Sequence, residues 1–300
     1  MSLHDQQTSQ ASPRDPTHRV VAPRVELADG GLRHEMRASR VVWRREIIRF
    51  TQDRARIVAM LLQPLLFLFV MGTGLGSVVS TSDDVDFKTF LFPGVLAMSV
   101  LFMAVFAGIS LVWDREFGFL REMLVAPISK AAIIIGKCLG GATSATLQAC
   151  IVLALAPLAG VPYSVSLIVI LLICLFLGSM MLTSLGVVLS ARIKTIQAAM
   201  PMTQMLIMPM MFLSGALFPL ANLPTWLSVL TKLNPLTYAV QPMRAAVFNH
   251  IDVSPETRAQ LDPPITWWGW EVPEYVQLGV VAVVTVALIG VAVSLFDRTE

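Results

Sequence analysis

The sequence predicts an all-α membrane protein with six transmembrane helices, and two observations carry that expectation. The 300-residue chain is 55% hydrophobic and only 14% charged, where a soluble domain carries about a quarter charged residues. Its apolar residues also gather into long stretches free of ionisable side chains, at 57–82, 89–113, 138–191, 195–231 and 275–296. A charged residue at the bilayer centre costs roughly 2.5–3.5 kcal/mol, and about 20 apolar residues span the hydrocarbon. The third stretch holds two spans, divided at the turn-forming PLAGVP of 157–162. The spans are therefore placed near 57–79, 91–112, 133–158, 165–190, 196–218 and 276–296.

The flanking elements follow in order. Residues 1–32 are polar, with Pro13, Pro16 and Pro23 and no apolar run of signal-peptide type; they read as a disordered cytoplasmic tail. The remainder, 33–300, reads as one transmembrane domain. Before the first span, Met36, Trp43, Ile47 and Phe50 recur at helical spacing beside Arg33, Arg37, Arg40 and Arg44. This pattern predicts an amphipathic N-terminal helix at the inner interface, its arginines toward anionic headgroups. The alternative is a helix packed on protein. Between the fifth and sixth spans, residues 219–247 are apolar but interrupted by Pro219, Pro224, Lys232, Asn234, Pro235, Pro242 and Arg244. A full crossing there would bury two cations and several helix breaks, so an extracellular re-entrant hairpin is expected. A polar loop with Trp267, Trp268 and Trp270 follows, a set suited to the headgroup level.

Lysine and arginine set the orientation. Eleven precede the first span, four lie in 113–137, two are Arg192 and Lys194, and one is Arg298. The other side has Lys88, Lys232, Arg244 and Arg258. That bias places both termini in the cytoplasm. The net charge is only +2, and without a basic domain carrying base-stacking aromatics nothing suggests a nucleic-acid partner, so none is expected. Cys138, Cys150 and Cys174 lie in apolar runs and read as small buried hydrophobes, not as a disulfide framework.

The sequence offers no catalytic centre. Gly136-Lys137 is the nearest approach to a phosphate loop, yet Ala131 and Cys138 stand where that loop requires Gly and Ser or Thr. The four histidines, His4, His18, His34 and His250, make no metal-ligand motif. The spans lack the Asp, Glu or His that relay ions in coupled transporters, so transport would draw its energy from a cytoplasmic partner. The loop DREFGFLREMLVAPISKAAIIIGK, 114–137, is the candidate docking segment. Phe117, Leu120 and Leu124 share a helical face, Arg115, Gly118, Arg121 and Glu122 surround it, and Pro127 ends the helix. An interfacial helix without a partner is the alternative. Gly136 and Gly140 form a small-residue pair that permits close helix contact.

This loop resembles the cytoplasmic signature of ABC-2 type permeases, the membrane subunits of one class of ABC exporter. Arg115, Glu116, Gly118, Leu120, Leu124, Pro127, Gly136 and Lys137 match the pattern, whereas Phe119 and Arg121 depart from its Thr and Glu. The segment LSGALFPLANLPTWLSVLTKLNPLTYAVQPMRAAV, 213–247, is similar to the family's fifth span and outer hairpin, and FLFPGVLAMSVLF, 90–102, to the start of its second span. The resemblance covers about 34–300 and lies nearest the daunorubicin and multidrug-resistance branch.

The resemblance implies a multi-pass subunit of a bacterial plasma membrane that is not itself an enzyme. Two copies of an ATP-binding cassette ATPase would hold ATP and Mg, and a second permease would complete a homodimer or heterodimer within membrane lipids. Residues 115–127 would be the coupling helix. The outer gate would comprise Ser214, Gly215, Pro219, Pro224, Asn234, Pro235, Tyr238 and Arg244. Met205, Met208 and Phe212 belong to a methionine-rich span and form a candidate substrate path, or pack against neighbouring helices. The expected cargo is apolar or amphipathic, drug-like or lipid-like, leaving the cytoplasm or inner leaflet. A lipid-linked glycan exporter and a non-transporting membrane scaffold are the alternatives.

Overall fold

The computed structural model describes residues 31–76, 85–120, 123, 128–221, 223–267 and 269–299, with side chains through Phe296. Residues 1–30, expected as a tail, lie outside the described residues. So do Arg121, Glu122, Leu124 and Pro127 of the expected loop helix, and Trp268.

Helices dominate. α1 (Leu32–Gln52) ends at Asp53, whose carboxylate accepts from Arg56 N at 3.1 Å and so caps α2 (Arg54–Gly76). Within α2, the turn Phe67–Met71 widens to a π-helix just after Pro64, where a helical amide is missing. α3 (Phe87–Glu116) starts at the Asp86 cap. Ser129 caps α4 (Lys130–Leu153), and a 3₁₀ turn (Ala156–Ala159) with Gly160 reverses the chain into α5 (Val165–Arg192). Thr195 caps α6 (Ile196–Leu213). Two short helices follow, α7 (Thr225–Leu233) and α8 (Thr237–Phe248), then α9 (Pro255–Leu261). A two-stranded antiparallel hairpin, β1 (Thr266–Trp267) and β2 (Trp270–Glu271), leads into α10 (Glu274–Thr299).

α3 is the central helix. In its apolar window 89% of residues are buried, against 17% in α2 and in α10. Its most extensive partner is α5. The two cross so closely that a Cβ on Gly108 would stand 2.5 Å from Thr183 O, and one on Gly186 2.5 Å from Val105 O. By contrast, Val58, Leu62 and Val70 of α2 and Val283 and Val286 of α10 are exposed, apolar faces that suit lipid or another apolar chain.

Five described helices are long and apolar enough to cross a membrane: Arg54–Gly76, Phe87–Glu116, Val165–Arg192, Ile196–Leu213 and Glu274–Phe296. The sequence expectation was six. The expected third span, 133–158, corresponds to α4, which has the length but carries Lys137, Gln148 and several small polar residues. The fifth span is also shorter than expected, because Ser214 and the left-handed Gly215 (φ 72°) end α6 well before residue 218.

α1 buries a different stripe from the one its sequence suggested. Met36 is exposed, while Ala38, Val42 and Glu46 are buried. The reason lies in α4. A Cβ on Gly136 would stand 2.7 Å from Ser39 O, and one on Gly140 2.6 Å from the Glu46 Cβ, so the glycine pair brings α1 onto α4. Trp43 Nε1 donates to Thr143 Oγ1 at 3.1 Å along the same seam. This face of α1 packs on protein, whereas Arg33, Arg37, Arg40 and Arg44 are exposed.

Candidate functional site: a charged junction at the root of the 117–127 loop

Burying an amine in an apolar bundle demands partners. Lys137, about two turns into α4, is 2% exposed. Its Nζ lies 2.5 Å from Asp114 Oδ2 on α3 and 3.1 Å from Glu46 Oε1 on α1, and it donates to Ser110 Oγ at 3.1 Å. Asp114 is 1% exposed; its Oδ1 accepts from Arg45 Nη2 at 3.1 Å, with Arg49 Nη1 at 3.6 Å. Two carboxylates and three cations thus join α1, α3 and α4. Charge-assisted bonds of this kind are directional, so the junction fixes the three helices in one register.

The same junction reaches the loop. Arg45 donates through Nη1 to Met123 Sδ at 3.2 Å, and its guanidinium stands 5.8 Å from the Phe119 ring centroid. Arg115 donates to Ser190 O at 3.1 Å and Ile193 O at 3.0 Å, satisfying carbonyls at the C-terminus of α5. Glu116 Oε2 accepts from Ile196 N at 2.8 Å, at the first turn of α6. The sequence reading had placed both residues toward a partner; here each also grips a neighbouring helix of its own chain, while Glu116 remains solvent-exposed.

Among the described residues of this segment, 119, 120 and 123 are helical, but the expected helical face is interrupted at its start. α3 runs unbroken to Glu116 and stops at Gly118, whose φ of 81° is left-handed. Phe117 and Leu120 consequently do not share a face. Phe117 is 65% exposed, as is half of Phe119, whereas Leu120 is buried with Leu111, Ile134, Val187 and Phe296. Phe117 and Phe119 are aromatic side chains offered to solvent beside the charged root.

At the opposite end, the expected hairpin residues do come together. Ser214 is buried, and Gly215 O accepts from Arg244 Nη2 at 2.5 Å. The Asn234 side chain joins α6 to the α7–α8 turn: Nδ2 donates to Met210 O at 2.8 Å and Oδ1 accepts from Leu236 N at 3.1 Å. Tyr238 Oη donates to Lys232 O at 2.8 Å and accepts from Trp267 Nε1 at 3.0 Å. All of α8 is buried. Arg244, fully buried, lies 4.5 Å over the Phe90 ring of α3. Pro224 is the N-cap of α7 and Asn234, followed by Pro235, is its C-cap, while Pro219 sits in the half-buried link after α6. Met205, Met208 and Phe212 are exposed along α6. They are apart from both the junction and the hairpin contacts described above.

Sequence reasoning missed the junction. Glu46, Asp114 and Lys137 are distant in the chain, and Lys137 was read only as half of a Gly-Lys motif. The signal available was a lone lysine at the mouth of an apolar run, which requires a partner from another helix.

Comparison with known proteins gives a consistent picture. The model of the ABC-2 type transporter family matches residues 37–248. A protein of Porphyra purpurea named as a transport permease, ycf38, is 31% identical over 68% of this chain and 68% of its own. Nodulation protein J of Rhizobium leguminosarum bv. viciae is 29% identical over 68% of this chain and 79% of its own. An Escherichia coli K12 protein named as a multidrug ABC transporter permease, YbhR, is 32% identical over 52% of this chain and 43% of its own.

Proposed function

The chain belongs to the ABC-2 type transporter family and is a membrane transport permease; from that premise we propose that it is the permease subunit of an ATP-driven exporter. Family membership implies an ATP-binding partner subunit. In this reading two such ATPases, holding ATP and Mg, assemble with two permeases. Arg115, Glu116, Phe117, Gly118, Leu120, Arg121, Glu122, Leu124 and Pro127 belong to the segment that meets the ATPase.

One observation carries the reading: the residues at the root of that segment are each tied to a different helix. Arg45 links Met123 to Asp114 and so to α1 and α3, Arg115 holds the end of α5, and Glu116 holds the start of α6. A partner that displaces the loop therefore displaces several helices together, which is what a two-state element biased by nucleotide requires. The exposed Phe117 and Phe119 supply apolar anchors for a groove on the partner.

The lysine and arginine bias puts this end in the cytoplasm and the α7–α8 hairpin outside. Ser214, Gly215, Pro219, Pro224, Asn234, Pro235, Tyr238 and Arg244 then surround the exit. Met205, Met208 and Phe212 present a flexible apolar surface on α6 to an amphipathic cargo. A relative named as a multidrug permease supports a drug-like cargo.

The test is co-purification with the ATP-binding subunit, followed by substrate-stimulated ATP hydrolysis in lipid. The double variant Glu116→Lys with Glu122→Lys is expected to reach the membrane normally but to recover less ATPase or to lose transport-coupled hydrolysis. Intact assembly and export in that variant would overturn the coupling role of 115–127.

A further inference from the structure

The outer end holds a cavity, with apolar walls and several charged side chains, that the coupling account does not use. It measures about 730 Å³ and opens between α8, α9, β2 and the first turn of α10. Asp262, Glu271, Glu274, Gln277, Arg258 and Tyr275 line it. Asp262 is 8% exposed, and its Oδ1 accepts from Gln241 Nε2 at 2.7 Å, which fixes the carboxylate in the wall. Gln277 is 3% exposed. Its Nε2 donates to Val272 O at 2.8 Å, and that bond leaves Oε1 buried without a hydrogen-bond partner among the described residues. A buried acceptor left unpaired is destabilising, and a ligand N–H would relieve it.

The charge balance favours a cation. Three carboxylates face the cavity against one cation in its lining, Arg258. Arg258 Nη2 donates to Asn249 Oδ1 at 2.5 Å, and Arg244, behind the wall, donates to Gly215 O and stacks on Phe90. Glu274 offsets the positive end of the α10 dipole. Tyr275, 75% exposed at the rim, offers an aromatic face of the kind that attracts ammonium groups. Among the described residues, no three His, Cys, Asp or Glu side chains are placed to hold one metal ion.

We propose that this cavity binds an organic cation through its protonated amine, with Asp262 and Glu274 as charge partners and Gln277 as the neutral acceptor. Burial raises the Asp262 carboxyl to about 6, with Arg244 and Arg258 pulling it down and Glu274 adding to the rise. The cation is therefore held at neutral pH and released as the pH falls through that value. Binding is an equilibrium property of this chain, so it succeeds or fails independently of ATP-coupled export.

The experiment is equilibrium dialysis of radiolabelled tryptamine against the full chain in zwitterionic lipid nanodiscs, with empty nanodiscs as baseline. N-acetyltryptamine, which lacks the ammonium, is the comparator. At pH 7.5 tryptamine should bind saturably and about tenfold more tightly than N-acetyltryptamine, a charge-assisted hydrogen bond's worth. Asp262→Asn keeps the acceptor for Gln241 and should weaken tryptamine about tenfold; Glu274→Gln, on the exposed rim, should weaken it less. If Asp262→Asn does not fold, Glu274→Gln and the wild-type comparison at pH 7.5 and 5 decide the matter. Equal binding of the two ligands, or tryptamine affinity unchanged in the variants and at pH 5, overturns the proposal.

Discussion

Lys137 and Arg244 are both buried cations in apolar surroundings, and they are held in opposite ways. Lys137 meets two carboxylates and a hydroxyl within 3.1 Å. Arg244 has one hydrogen bond, to Gly215 O, and the Phe90 ring, while its Nε and Nη1 find no partner among the described residues. The nearest carboxylate on that side, Asp262, is engaged by Gln241 instead. A fully paired cluster has a single low-energy arrangement and transmits displacement. A cation with unspent donors can exchange partners at modest cost, which suits a part that opens and closes. In the proposed orientation, the paired cluster lies beside the ATPase and the under-paired arginine beside the exit.

The largest effect expected from this contrast is at the paired end. Lys137→Met leaves Glu46 and one oxygen of Asp114 buried without a cation, and should cost about 3 kcal/mol, the low end for a broken buried pair because Arg45 still reaches Asp114. A thermal-unfolding series in detergent checks it, and adding Glu46→Gln should recover part of the loss. Arg244→Met should cost less, about 1–2 kcal/mol, since it removes one charged hydrogen bond but also an incompletely paired buried charge. A loss at Arg244 larger than that at Lys137 would reverse the contrast.

Stability against pH sharpens the comparison at the outer end. Burial raises the Asp262 carboxyl above its ordinary value of 3.8, to about 6. Between those values the folded chain binds more protons than the unfolded one. The contribution of Asp262 is therefore fully present below about 3.8 and lost as pH rises through about 6. Asp262→Asn should flatten this part of the melting-temperature profile between pH 4 and 7. The smallest effect lies along the α1–α4 seam. Trp43→Phe forfeits the bond to Thr143 and should cost about 1 kcal/mol or less by the same unfolding series.

Much of the helical frame was legible because a bilayer makes charge-free length informative. The expected spans at 91–112, 165–190 and 276–296 each fall inside α3, α5 and α10. The Gly136/Gly140 pair was readable as a close contact, though not its partner, because spacing reveals a flat face and not what lies on it. Helical periodicity misled at Phe117 and Leu120, where Gly118 changes the backbone hand between them. In α1 it favoured large apolar residues, whereas glycines on α4 selected Ala38 and Val42 as the buried ones. The breaks on either side of α7 were legible from Pro224 and Asn234-Pro235, which flank that helix, whereas Pro242 lies inside α8 without ending it. The junction of Glu46, Asp114 and Lys137 was not legible, because three charges become one site only when three helices bring them together.

The central claim is that this junction carries the partner's movement from the loop into the helices, and Arg45 is its most accessible link, with bonds to both Asp114 and Met123. The direct measurement is export per ATP hydrolysed by Arg45→Met, assembled with the ATP-binding subunit in proteoliposomes. Assembly and basal hydrolysis should persist, while export per ATP falls about tenfold, the loss of one charge-assisted link. Export per ATP equal to that of the wild type would contradict the account.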